Sequence, residues 1–131
     1  MDATARNIPH RRAVHAGVGL ALAALLLLET GAWAHAFLSR SDPPPGATIA
    51  APPAQVRIWF DGPIEPLFLA IRVENRERQR VDRGDGRVSA EDQRLLEVGV
   101  QPLASGRYRV FWSVVARDGH RKEGDFPFRV K

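Results

Sequence analysis

At 131 residues, with 26% charged and 44% hydrophobic residues and a net charge of +4, the chain has room for one hydrophobic core, and its small cationic excess gives no support for nucleic acid as a partner. It contains no cysteine and its only methionine is Met1, so there is no disulfide framework and, beyond the first residue, neither thiolate nor thioether to hold a metal. A metal would have to be met by nitrogen and oxygen donors, so the soft ligands that select Cu(I) are ruled out.

The first element is a leader. Basic residues Arg6, Arg11 and Arg12 precede an apolar run from Val18 to Leu28, and Gly31-Ala32-Trp33-Ala34 puts small residues at the last and third-last positions before a cut. That order reads as a secretory signal peptide over residues 1–34, cleaved after Ala34. The run is shorter than the roughly 20 residues of a membrane-spanning helix. Arg11-Arg12 raises a twin-arginine export route, but Ala13-Val14-His15 lacks the strongly apolar residues that usually follow such a pair. Residues 35–131 then form a single exported domain, and His35 becomes its first residue.

From there on, period-two patterning and turn chemistry recur with hardly a helical stretch. Gln55 to Phe60 (QVRIWF) places Val56, Ile58 and Phe60 on one face. Phe68 to Val73, Arg94 to Val100, Arg107 to Ala116 and Phe126 to Val130 read as further strands. Between them stand Asp42-Pro43-Pro44-Pro45-Gly46, Ala51-Pro52-Pro53, Asp61-Gly62-Pro63, Gly84-Asp85-Gly86 and Asp118-Gly119, which are turn sequences. Pro43 to Pro45 reads as a turn rather than a polyproline docking motif. Arginines and carboxylates alternating from Glu74 to Arg80 read as a solvated hairpin rather than a phosphate-binding stripe. Leu103-x-x-Gly106-x-Tyr108 matches the tyrosine corner of Greek-key sandwiches, and Trp59 and Trp112 are expected in the core. The fold class is therefore an all-β sandwich.

Four histidines occur, His10, His15, His35 and His120, and cleavage after Ala34 retains only the last two. An N-terminal histidine offers its α-amine and Nδ1 to one metal in a six-membered chelate ring, and that amine deprotonates with a pKa of about 7.7 to 8.0. Asp118 and His120 are two apart, so in extended backbone both side chains point the same way, with Gly119 giving freedom to turn. Together these are three nitrogens and a carboxylate, a set that suits Cu(II). Each half has a plainer reading, a chance N-terminal His and an Asp that bonds its own turn backbone. Their coincidence with the two retained histidines favours the site.

These residues resemble the CopC-like (YobA-like) copper resistance proteins of the bacterial periplasm. The resemblance runs through His35-Ala36-Phe37-Leu38, Pro43 with Gly46-Ala47, and Val56-Arg57-Ile58-Trp59-Phe60 leading to Ile64-Glu65-Pro66. It is most specific in Gly106-x-Tyr108-x-Val110-x-Trp112-x-Val114-Val115-x-x-Asp118-Gly119-His120, followed by Gly124-x-Phe126-x-Phe128-x-Val130. It implies a cupredoxin-like or immunoglobulin-like Greek-key β-sandwich, a monomer, that holds one Cu(II) through His35, Asp118 and His120. It also implies sequestration of copper or its delivery to an inner-membrane CopD-like transporter. The methionine-rich Cu(I) site of some relatives has no counterpart here. Asp61 follows Phe60 where some relatives carry Glu, which leaves open whether Asp61 or Glu65 adds a ligand.

Two other function classes fit parts of this pattern. A copper-dependent oxidative enzyme of histidine-brace type would share the N-terminal His and a second His, but Asp118 would fill a position such an enzyme keeps open, and no row of exposed aromatics for a glycan is evident. A metal-free sandwich used for docking would use Arg72 to Arg87 as its contact surface.

Overall fold

Alternation decides which side chains reach the interior. Along Gln55–Phe60, Val56, Ile58 and Phe60 are buried while Gln55, Arg57 and Trp59 are not, and the same rhythm buries Tyr108, Val110, Trp112 and Val114 in the longest strand. The computed structural model describes residues 38–131, and among them there is no helix. The strands are β1 (Leu38–Asp42), β2 (Thr48–Ile49), β3 (Gln55–Phe60), β4 (Ala70–Asn75), β5 (Arg87–Val88), β6 (Leu95–Gly99), β7 (Gly106–Val115) and β8 (Arg121–Val130). They form two four-stranded sheets, ordered β1-β3-β6-β5 and β2-β8-β7-β4. Every pairing is antiparallel except β2 with β8.

The expected all-β sandwich is what the chain forms. Its core joins Val56, Ile58, Phe60, Leu96 and Val98 of one sheet to Ile71, Val73, Val110, Trp112, Val114, Phe126 and Phe128 of the other. Burying each such side chain contributes about 1.5–3 kcal/mol. Phe60 and Trp112 meet edge to face across the sheets with ring centroids 5.1 Å apart. Trp112 also closes over Gly124, its partner in β8, where a Cβ would lie 2.7 Å from the indole Cζ2. The tyrosine corner is present: Tyr108 donates its hydroxyl to the Ala104 carbonyl at 2.6 Å. The proline stretch turns as expected, with Ala47 N–H donating to the Pro44 carbonyl.

Two sequence-based expectations need correction. Trp59 is not a core residue: it faces outward between buried Ile58 and Phe60, and the Arg40 guanidinium lies 3.8 Å from the ring centroid, so a cation–π contact replaces burial. The last strand begins at Arg121 rather than Phe126, because backbone pairing with β7 carries Arg121 to Asp125 into the ladder despite their polarity.

One buried carboxylate ties the layers. The Asp82 side chain is fully buried; its Oδ1 accepts the Val73 N–H of edge strand β4, and its Oδ2 accepts Gly84 N–H and Arg80 Nη2 at 2.7 Å. The Asp82 backbone meanwhile bridges Val100, just past β6 of the other sheet. Burial pushes the Asp82 carboxyl up, but the Arg80 guanidinium and the two backbone N–H donors outweigh it and hold the group below the ordinary carboxylate range.

Candidate metal centre

The β7–β8 hairpin closes through Arg117-Asp118-Gly119. Gly119 N–H donates to the Ala116 carbonyl and Ala116 N–H to that of His120, each at 2.9 Å. Such a three-residue loop needs a left-handed residue at its end, and Gly119 supplies it with φ 88°. Asp118 therefore lies in the turn rather than in the extended backbone that strand alternation would require; the turn brings it to His120 instead. Asp118 Oδ1 accepts the His120 N–H at 3.0 Å, and Oδ2 lies 3.1 Å from His120 Nδ1.

Both side chains face solvent, with exposures of 67% for Asp118 and 77% for His120. Backbone and side-chain hydrogen bonds from His120 hold the Asp118 carboxyl below its ordinary range. An ionised carboxylate and an imidazole nitrogen thus stand side by side on an exposed turn, joined by a hydrogen bond whose proton a metal ion would have to displace before both could hold it. Two donors at about 2.0 Å from an ion and at right angles to each other lie about 2.8 Å apart, so this pair, held at the 3.1 Å of a hydrogen bond, need close by only a few tenths of an ångström to span two adjacent positions of a metal site. Among the described residues no third His, Cys, Asp or Glu completes a metal-binding group with them. Glu65 pairs instead with Arg117 Nε at 3.4 Å. His35 and the leader boundary lie outside the described residues.

Arg117, which sequence reading passed over, fastens the turn. Its N–H donates to the Pro63 carbonyl at 3.3 Å, and its guanidinium reaches Gln93 Oε1 at 3.0 Å as well as Glu65. Beside it, Ile64 bridges Ala116 and Glu65 N–H donates to the Val115 carbonyl. Residues 61–65 leave β3 at Phe60, and Phe60 is the partner of Leu38 in β1. The beginning of β1 and the Asp118–His120 turn consequently occupy the same end of the sandwich. No sequence signal marks Arg117, because its partners come from two distant loops.

A family model described as the CopC domain matches residues 38–131. Copper transport protein CutJ of Bacillus subtilis is 32% identical over 107 residues, covering 81% of this chain but only 20% of that protein, so the chain spans about a fifth of its length. Protein YobA of Escherichia coli K12 is 28% identical over 132 residues, 100% of each chain. Copper resistance protein C of Xanthomonas campestris pv. juglandis is 28% identical across 84% of this chain and 91% of that protein. Among solved structures, CopC from Methylosinus trichosporium OB3b superimposes with a TM-score of 0.65 at 31% identity, over 74% of this chain and 94% of that one. Selenomethionine PcoC from Escherichia coli gives 0.63 at 24% identity, over 72% and 98%, a likeness of fold.

Proposed function

The chain belongs to the CopC domain family, and on that premise we propose that it is an exported periplasmic protein that binds one Cu(II) ion and serves copper resistance or homeostasis by sequestering or delivering it. The observation that supports this reading is the juxtaposition of the Asp118 carboxylate and the His120 imidazole, 3.1 Å apart on an exposed turn. That turn shares an end of the sandwich with the beginning of β1, where Leu38 pairs with Phe60. His35 is three residues before Leu38, and three extended residues reach about 10 Å.

In this reading the cargo ion takes the His35 α-amine and imidazole, the Asp118 carboxylate and a His120 nitrogen. Cleavage after Ala34 supplies the amine, so the donor set is completed only after export. The Gly119 turn holds Asp118 and His120 next to each other, and Arg117 fixes that turn to the loops at 63–65 and 93. A four-donor site of nitrogen and oxygen retains Cu(II) and leaves little room for a substrate. We therefore read the protein as a monomeric metal holder rather than an enzyme, in keeping with relatives named for copper transport and copper resistance. Its delivery partner in this reading is a CopD-like inner-membrane copper transporter.

Calorimetric titration of Cu(II) into the purified protein and its His120→Ala variant tests this. The wild type is expected to take up one equivalent. The variant loses more than the roughly 10- to 100-fold that an outer-shell partner is worth, with its melting temperature unchanged because the side chain is exposed. Undiminished affinity in the variant would contradict the assignment.

A further inference from the structure

The outer face of the second sheet carries an open groove of about 960 Å3 that crosses β2, β8, β7 and β4. Outward side chains enter it in rows. In one row Glu74 lies across from Arg109 and accepts Arg72 Nε at 2.7 Å, while Arg109 also bonds Asp125. That row is electrostatically balanced. The row nearer the 75–79 turn is not: Arg107 and Arg129 are direct cross-strand partners, both exposed, and neither has an ion-pair partner among the described residues. Like charges placed opposite each other on one sheet face destabilise it.

The turn after β4 adds Arg76 and Arg78 to the same groove. Asn75 N–H donates to the Gln79 carbonyl and Arg78 N–H to that of Asn75, the same bonding as in the Asp118 turn. Arg78, at φ 63°, holds the left-handed position that Gly119 holds there. An arginine at that position is locally unfavourable. Two unfavourable choices therefore meet at one end of one groove, and such places are where function is sought. A second groove of about 490 Å3 shares Arg76, Arg107 and Arg129 with the first, and Glu77 lines only this smaller one.

We propose that Arg76, Arg78, Arg107 and Arg129 form a binding site for a phosphate-bearing anion, so that the 75–79 turn, whose alternating charges read in sequence as a solvated hairpin, gains this role only beside Arg107 and Arg129 of the neighbouring strands. All four are arginines, whose planar forks take oxyanions in pairs of hydrogen bonds. Several forks facing one groove suit a phosphate, whose terminal oxygens can engage more than one of them, better than a carboxylate, which one fork fills. The bound anion supplies the counter-charge that the Arg107–Arg129 pair lacks. A soluble phosphate compound and an anionic phospholipid headgroup share this chemistry.

The test is made on purified protein without added copper, so it stands apart from the metal reading. Pyrophosphate is titrated by calorimetry at low salt, and flotation with phosphatidylglycerol vesicles is compared with phosphatidylcholine vesicles. Pyrophosphate binding without vesicle capture supports the site and a soluble source; capture by phosphatidylglycerol alone, reversed by pyrophosphate, supports it and a lipid source. The double variant Arg107→Gln/Arg129→Gln should lose at least about tenfold in affinity while melting no lower than wild type, because it removes a repulsion. Arg87→Gln, which breaks the pair with Glu97 on the other sheet, should change neither. Absence of both pyrophosphate binding and vesicle capture overturns the proposal, as does a double variant that binds like the Arg87 control.

Discussion

Asp118 divides its work between its two oxygens, Oδ1 closing the turn on the His120 N–H and Oδ2 meeting Nδ1. Asp118→Asn keeps an oxygen for the turn and removes the charge. It should weaken Cu(II) binding while stability stays within about 0.5 kcal/mol, as at other exposed positions. Asp82 is the opposite case, a buried carboxylate serving structure. Asp82→Ala orphans the N–H groups of Val73 and Gly84, whereas Arg80, already half exposed, rehydrates; the expected loss is about 3 kcal/mol in urea unfolding. Because the folded Asp82 carboxyl sits below its ordinary range, its contribution is in full force above an unfolded pKa of about 3.9 and is lost as pH falls through the lower folded value. Asp82→Asn should flatten that acid limb, which stability measured from pH 5 downward would reveal.

Two turns of the same bonding pattern, 75–79 and 116–120, close hairpin-like returns on the second sheet. One places Arg78 and the other Gly119 in the left-handed region. Arg78→Gly should therefore stabilise the protein by about 1 kcal/mol, and Gly119→Ala should destabilise it by a similar amount and lower copper affinity by displacing Asp118 and His120. Thermal melts with and without Cu(II) separate the two effects. The strands that bury one face were readable from alternation alone, β3 to the residue. Strand β1, which buries only Ser41, and the two-residue strands β2 and β5 were not, since none of them carries a period of buried positions. The start of β8 was hidden as well, because pairing, not hydrophobicity, makes Arg121 to Asp125 a strand. Asp118 and His120 were expected side by side from strand alternation, whereas a turn is what brings them together.

The sandwich as a whole is held by a shared core, by Asp82 clasping the two sheets, and by residues 61–65 running from Phe60 across to Ala116. None of the long-range ties at Arg117 or Asp82 has a local signature, which is why the sequence pointed to Asp118 and His120 but not to what holds their turn. If copper joins the first mature residue to the last hairpin, binding should stabilise the fold by mass action, by about 4 kcal/mol at a free ion concentration 1,000 times Kd. Added Cu(II) should raise the melting temperature and a chelator should restore it. The most direct test of the account is electron paramagnetic resonance of the Cu(II)-loaded protein, its N-terminus fixed by mass spectrometry, beside a variant with one extra residue before His35. A tetragonal Cu(II) signal with nitrogen couplings is expected when His35 is first, and loss of that signal and of tight binding in the extended variant. An unchanged spectrum and affinity after the extension would contradict it.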